Sequence, residues 1–586
     1  MTGPRPGRVV RVNGPLVEAE GLAGVAMYDI VEVGEQQLPG EAVAIRGGLV
    51  TVQAYEYTGG LAPGAPARGR GRPLSAPLGP HLLGRVFDGL LRPLPADTPW
   101  LEPGAAAADG AGEGQRFRFT PQVAEGAQVT EGSCLGTVAV PGQVDYRVLA
   151  PPGVTGPAAD VRPAGPAGGR DVMATVGGTP VRLISEWPVR RPLPYRERLE
   201  GGAPLVTGQR VVDLLFPVTR GGTTAVPGGF GTGKTVLLQQ ITKWCDADVI
   251  VYVGCGERGN ELADMLTELG QITDPRTGGR LLDRTVVIAN TSNMPMMARE
   301  VSIYSGAVVA EHFRDMGLDT VVVADSTSRW AEALREFASR NGELPAEEGY
   351  PASLSSALAA FYERAGRVIT REGREGSVTT IGAVSPAGSD MTEPVTTQTQ
   401  RFVRSLWSLD RDLAYARHYP AVSWSGSFSR DADAVAAWHA GHQDPGWADR
   451  RARLTAVLAD ADRLGALAEL MGSGALPPRE RVTLLAGRLI REGVLQQSAL
   501  SPADAYCDAP RGAALAGAVL AVADRCQDLA AAGVPPGIIE EQDFSPVLRA
   551  REEAGRPAAA DAARDQMLAR LDALARQYAQ PAGEEG

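Results

Sequence analysis

The segment GGFGTGKT, Gly228 to Thr235, fits the pattern G-x-x-x-x-G-K-[ST]. Gly228, Gly229, Gly231 and Gly233 let the backbone curl so that successive N–H groups point at phosphate oxygens, with Phe230 and Thr232 at variable positions. Lys234 can reach the outer phosphates, and Thr235 can place its hydroxyl on Mg²⁺. A helix beginning at Val236 and running to Trp244 would aim its positive end at the same anion. The strand-prone stretch TTAV, Thr223 to Val226, precedes the loop, so the context is the strand–loop–helix that the mechanism demands. This spacing predicts a nucleoside triphosphate site.

Two further groups of residues complete that chemistry. VVVADSTSR, Val321 to Arg329, closes an apolar strand with Asp325, where a carboxylate can hold Mg²⁺ through water. An Asp in that position is also a common helix N-cap. VYVGCGERGNE, Val251 to Glu261, places Glu257 just past the carboxyl end of a strand, where open α/β sheets bind ligands. A carboxylate there can orient an attacking water, Arg258 can fork onto phosphate, and Glu261 follows one helical turn later as a second acidic candidate beside the metal. The plainer reading of Glu257, Arg258 and Glu261 is a surface salt-bridge cluster.

The elements that must position these residues follow from pattern. VIVYV (Val249–Val253), TVVIA (Thr285–Ala289) and TVVVA (Thr320–Ala324) are apolar strand candidates, with helical patterns at Met296–Met316 and Ser328–Arg340. Alternation of that kind predicts a parallel sheet built from βαβ units. Upstream, residues 1–72 alternate apolar and polar residues in short pieces such as Gly7–Val12 and Glu41–Ile45, which suggests a small antiparallel sheet or barrel. ARGRGR, Ala67 to Arg72, reads as a solvated loop, since three arginines without aromatics make no base-stacking platform. LEPGAAAADGAGEG, Leu101 to Gly114, has flexible-linker composition. Beyond it, glycines at 126, 132 and 136 and APPGVTG (Ala150–Gly156) resemble the flattened barrel of biotinyl and lipoyl carriers. Residues 101–190 contain no lysine, so this inserted β module carries no prosthetic group. From about residue 430 the chain reads as amphipathic helices, and QPAGEEG closes it as a frayed tail.

Bulk composition bounds the rest. The chain has 586 residues, which at roughly 150 per domain suggests about four domains. A net charge of −12 opposes a surface that grips nucleic acid throughout. Five cysteines make no disulfide scaffold and favour a reducing compartment. No secretory h-region opens the sequence, and the longest nearly apolar run, Ala513 to Ala523, is 11 residues, short of the roughly 18 that suggest a bilayer span.

Together these residues resemble the catalytic A subunit, or alpha chain, of V-type and archaeal-type rotary ATPases. The resemblance runs over nearly the whole chain, through PLSAPLGPHLLGRVFDG (Pro73–Gly89), TGQRVVDLLFPVTRGG (Thr207–Gly222), the phosphate loop, GCGERGNE, REVSIYSG (Arg299–Gly306) and ADSTSRWAEALRE (Ala324–Glu336). It continues in EEGYPASL (Glu347–Leu354), GAVSPAGSD (Gly382–Asp390) and RLIREGVLQQSALSPADAYC (Arg488–Cys507). It implies an N-terminal β-barrel over 1–72, a connector over 73–110 and a bulge insertion over 111–190. A RecA-like α/β nucleotide domain over 191–430 and a helical domain over 431–586 would complete the chain.

The same resemblance implies ATP or ADP and Mg²⁺ as ligands, held by Gly228 to Val236 with Thr235, Asp325 and Glu261 around the metal. Lys234, Glu257 and Arg258 would be catalytic. The implied partners are a non-catalytic B subunit, which supplies an arginine finger in an alternating A3B3 ring, and central and peripheral stalks. The membrane rotor would be met only indirectly, and the place of work would be the cytoplasmic face of a membrane, with no nucleic acid involved. Thr232 stands where eukaryotic members carry cysteine, which removes a regulatory disulfide at that position. Val494 and Leu500 stand where phenylalanines usually flank LQQ, which shifts base contacts toward Phe428 and other aromatics. AGSD replaces the usual PGGD in the loop implied to face the rotor. A catalytically silent ring member that only holds nucleotide, and an RNA-translocating RecA-type ring, are the competing classes. Intact Lys234, Glu257 and Asp325 oppose the first, and the charge and the insertion oppose the second.

Overall fold

The computed structural model describes residues 7–94, 115–140, 144–274, 278–292, 294–442, 444–553 and 557–579. The linker and tail compositions at 101–114 and 580–586 lie outside the described residues. The chain gathers into two compact units. One holds the residues through Glu200 with Arg220–Thr223 and Ala247–Val403, and the other holds Gly201–Thr219, Thr224–Asp246 and the residues from Arg404 onward.

In the first unit, strand-period alternation builds a closed barrel. Its strands are β1 (Gly7–Asn13), β2 (Leu16–Glu20), β3 (Asp29–Val33), β4 (Leu38–Arg46), β5 (Leu49–Ala54) and β6 (Pro66–Pro73), ordered β1-β2-β5-β4-β3-β6. Val9, Val17, Val31, Val33, Val50 and Val52 point inward and form its core. The segment Ala67–Arg72 is therefore a strand and not a loop. Ala67 is fully buried, and the register Val33↔Ala67 and Glu32↔Arg68 pairs β6 with β3. The arginines remain on the wet face, where Arg70 meets Glu32 and Arg72 meets Glu186. Pairing to β3 closes the barrel, a non-local gain that local Arg-Gly composition does not register.

The inserted module is two four-stranded sheets. One is ordered Gln128–Val129, Gly156–Ala159, Val172–Val176, Thr179–Arg182; the other is Tyr146–Leu149, Cys134–Ala139, Phe117–Pro121, Gly165–Ala167. Val129, Leu135, Ala158, Ala174 and Val176 fill its core. Gly136 is required by close approach, because a Cβ there would lie 2.4 Å from the Phe119 ring.

The parallel sheet of this unit runs Arg85–Phe87, Thr285–Asn290, Val249–Cys255, Asp319–Asp325, Glu375–Val384. The central strand, VIVYVGC, is buried at every residue, as expected of a strand covered on both faces. Helices Met296–Asp315 and Thr327–Arg340 fall where the sequence pattern puts them. Sheet order and burial thus bring the carboxyl ends of Val249–Cys255 and Asp319–Asp325 side by side.

In the second unit, the strand residues Thr224 and Ala225 pair in parallel with Ser405 and Leu406, which pair in turn with Ser429 and Phe428. Helices dominate thereafter: Trp447–Met471, Pro478–Ile490, Ala509–Ala531 and Pro557–Ala579. Arg210, buried at 1% exposure, ties this unit together. It donates to Asp504 Oδ1 at 2.7 Å and to the carbonyls of Val494 and Gln496 at 2.6 Å each. Among the described residues, no helix is long and apolar enough to cross a membrane.

Candidate functional site

The phosphate loop forms between strand Thr223–Pro227 and helix Lys234–Trp244. The helix begins two residues earlier than the pattern predicts, so Lys234 and Thr235 sit in its first turn. Gly231 (φ 79°) and Gly233 (φ 81°) adopt the left-handed conformation that lets the loop double back, with Gly233 capping the helix. Thr232 Oγ1 donates to the Gly229 carbonyl at 2.8 Å and Lys234 Nζ to the Gly228 carbonyl at 3.4 Å. These contacts shape the curl from within. Nothing lies within 4 Å of a Cβ built at Gly231, and Phe230 is 94% exposed. The loop is open to a ligand, and its first-turn N–H groups and cationic side chain suit an anion.

One aromatic beside the loop has no signal in the motif itself. A Cβ at Gly233 would meet the Tyr419 ring at 3.2 Å, and Tyr419 is 41% exposed. The Tyr419 carbonyl accepts from the Gln497 N–H at 2.8 Å, so the LQQ segment holds its backbone. Val494 is fully buried and Leu500 is 95% exposed. Phe428 is half-buried in a two-residue strand, with the Arg430 guanidinium over its ring at 5.3 Å. Of these aromatics, Tyr419 is the one that packs against the loop's capping glycine.

The carboxylates belong to the first unit. Glu257 follows strand Val249–Cys255, half-buried, and its carbonyl accepts from Ser292 N–H at 2.9 Å. The next helix starts at Gly259 with Arg258 as its N-cap. Glu257 therefore precedes the helix, and the one-turn spacing to Glu261 does not act through helix geometry. Glu261 instead faces Arg258 across 3.7 Å, with side chains 37% and 66% exposed. That pair has the character of a surface ion pair.

Asp325 is different. It ends strand Asp319–Asp325, is fully buried, and accepts from the Tyr252 hydroxyl at Oδ2 over 3.2 Å. The N-cap of the following helix is Ser326, so capping does not account for Asp325. Burial first, then the charges of Asp325 and Glu257, hold the Tyr252 phenol far above its ordinary pKa. Glu261 adds to the same field, so three acidic groups act on one phenol. Arg329 lies in this neighbourhood as well: a Cβ at Gly256 would meet its side chain at 2.8 Å. Its guanidinium is held charged by its hydrogen bond to Glu332 and further by the charges of Glu332 and Glu257. Arg329 sits inside the ADSTSR stretch, yet spacing alone does not mark it.

The oxygen donors suit a hard cation. Among the described residues no group of three or more His, Cys, Asp and Glu could cage a metal. Mg²⁺ keeps several waters and takes one or two protein oxygens plus substrate phosphates, so a hydroxyl such as that of Thr235 and a carboxylate such as that of Asp325 are donors of the right kind. Sulfur plays no part: burial pushes the Cys255 thiol up to about 12, which leaves it protonated and inert.

Comparison with known proteins agrees segment by segment. Residues 9–71 match the model of the ATP synthase alpha/beta family beta-barrel domain, and 111–190 match the alpha/beta subunit barrel-sandwich domain. Residues 208–429 match the nucleotide-binding domain of the same family, and 436–525 the C-terminal domain of V and A type ATP synthase. The V-type ATP synthase alpha chain of Anaeromyxobacter dehalogenans is 48% identical over 582 residues, covering 97% of this chain and 100% of that protein. The A-subunit of the A-type ATP synthase of Methanopyrus kandleri is 44% identical over 548 residues, covering 91% and 92%. Among solved structures, the assembled ATPase EscN of the enteropathogenic E. coli type III secretion system aligns with a TM-score of 0.63 at 21% identity, covering 88% of this chain and all of that one. At that identity the likeness is one of fold. With near-complete coverage at 44–48% identity and four domain models in order, the chain belongs to the alpha-chain, or A-subunit, family of V-type and A-type ATP synthases.

Proposed function

We propose that this chain is the catalytic subunit of a rotary ATPase or ATP synthase that couples ATP turnover to proton or sodium movement across a membrane. It would work at the boundary with a non-catalytic B subunit in an alternating ring joined to central and peripheral stalks, on the cytoplasmic side. The observation that carries this reading is the phosphate loop, with left-handed Gly231 and Gly233 leading into a helix that starts at Lys234. The proposed division of labour assigns 1–72 to the barrel, 73–110 to a connector, 111–190 to the bulge, 191–430 to nucleotide chemistry and 431–586 to the helical domain.

In this reading the backbone N–H groups of Gly229 to Val236 and the ammonium of Lys234 hold the phosphates of ATP or ADP. The Thr235 hydroxyl and the Asp325 carboxylate would hold Mg²⁺, with Glu261 as a further acidic candidate. When bound, Mg²⁺ would neutralise charge on the outer phosphates. The Glu257 carboxylate orients and polarises the attacking water, and Arg258 and Arg329 supply positive charge near the transferred phosphoryl group. An arginine finger from the B subunit would complete that charge. Positioning and electrostatics account for most of such catalysis, and each such group contributes on the order of 10²–10⁴-fold.

The test is to measure Mg-ATP hydrolysis by this chain alone and after mixing with a B-type partner. Activity should rise strongly on mixing, and Glu257→Gln should lower it about 10²-fold or more while nucleotide still binds. Full turnover by the Glu257→Gln ring would remove Glu257 from the mechanism. High activity of the isolated chain would overturn the ring reading.

A further inference from the structure

Strand Val249–Cys255 carries a tyrosine where its neighbours carry aliphatic side chains. Tyr252 is 2% exposed, and burying a phenol costs free energy unless its hydroxyl finds a partner. Its partner is a fully buried carboxylate, Asp325 Oδ2 at 3.2 Å. The register explains how the two meet. Asp325 pairs with Gly254 on the adjacent parallel strand, two residues beyond Tyr252. Two strand residues span about 6.6 Å, the reach of a tyrosine side chain laid along the strand. A Cβ built at Gly254 would lie 3.8 Å from the Tyr252 ring, which places that ring along the strand beside Gly254. The phenol is thus directed toward the carboxyl end of the sheet, at Asp325.

We propose that Tyr252 is a positioning residue for Asp325, fixing the rotation of its carboxylate for the divalent cation that accompanies the nucleotide. The proposal rests on the reading of Asp325 as the metal-supporting carboxylate. The final torsion of an aspartate is soft and nearly two-fold, so a donor on one oxygen selects an orientation the backbone does not impose. Partners that orient a metal-holding group typically change metal affinity by about 10–100-fold when removed.

Tyr252→Phe deletes the hydroxyl and keeps the ring. ADP binding to the full-length chain is measured without metal and through a Mg²⁺ titration. The variant should bind metal-free ADP as the wild type does and require about 10-fold more Mg²⁺ or beyond to reach the tight complex. In an Asp325→Asn background the same substitution should change the Mg²⁺ requirement no further. An unchanged Mg²⁺ requirement overturns the proposal, and so does an equal loss with and without metal, which would make Tyr252 a packing residue. A wild-type chain whose ADP binding ignores Mg²⁺ refutes the reading of Asp325 itself, a separate failure seen before any variant is made. Should the variant not fold, the unmodified chain decides: with ¹³Cζ-tyrosine placed at 252, the resonance should move when Mg²⁺ joins the ADP complex, and a stationary resonance overturns the proposal.

Discussion

Tyr419 shows what a residue can do that its local sequence does not announce. Its ring packs on Gly233 at the head of the loop helix, with two-fifths of its surface exposed. A planar, half-open aromatic beside a phosphate loop can stack a base, an interaction of about 1–3 kcal/mol. Tyr419→Ala should therefore raise the KM for ATP roughly tenfold or more with a smaller effect on kcat, while Tyr419→Phe stays near wild type. Steady-state kinetics of the chain mixed with a B-type subunit reads this, and an unchanged KM for Tyr419→Ala would exclude base stacking. The loop itself is legible in the sequence because its chemistry is written in eight consecutive residues. Tyr419 and Arg329 are not, since each gains its neighbourhood from chain distant in sequence. Asp325 stands between two readings on sequence alone, and the structure puts the helix N-cap position at Ser326 instead of Asp325.

At the scale of elements, contiguous Val and Ile runs betray the buried strands, and periodicity does the same for the helix at Met296–Asp315. Two expectations fail for one reason: boundaries depend on partners. β6 is a strand because β3 pairs with it, and Glu257 precedes its helix because the chain turns at Arg258. The inserted module adds a contact with a pH signature. Tyr146, on one of its strands, lies 2.9 Å from Nε2 of His312 on helix Met296–Asp315. Burial holds His312 down to about 3, with the charge of nearby His81 acting in the same direction; His81 itself falls to about 3, again mainly by burial. Both imidazoles are neutral when folded and would charge on unfolding. Their contribution is complete above the unfolded value near 6.5 and is lost as pH falls from there toward 3, by about 1.4 kcal/mol per group per pH unit. The first unfolding midpoint should thus drop between pH 6.5 and 5, and His312→Asn should flatten that slope by about one group's worth. Thermal scans across that window check it; equal slopes would show that His312 titrates normally.

For the whole molecule, a net charge of −12 and an aromatic content of 5% leave little with which to grip a polynucleotide. RNA added to the chain mixed with a B-type subunit should leave ATP turnover unchanged within about twofold at physiological salt. Several-fold stimulation by poly(U) would favour the translocating class instead. Family and domain order are visible in the sequence because long ordered motifs span nearly all of it; the division into two compact units is not, because that division depends on contacts such as Arg210 to Asp504, 294 residues apart. The N-terminal barrel has one more bearing on a chain proposed to sit in a ring of like subunits. Six strands closed on themselves offer no row of unpaired peptide groups to a neighbour. Barrels held at high local concentration can therefore crowd together without adding strands to one another, so the closure guards the assembly against cross-strand aggregation, and the outward arginines of β6 reinforce it with charge.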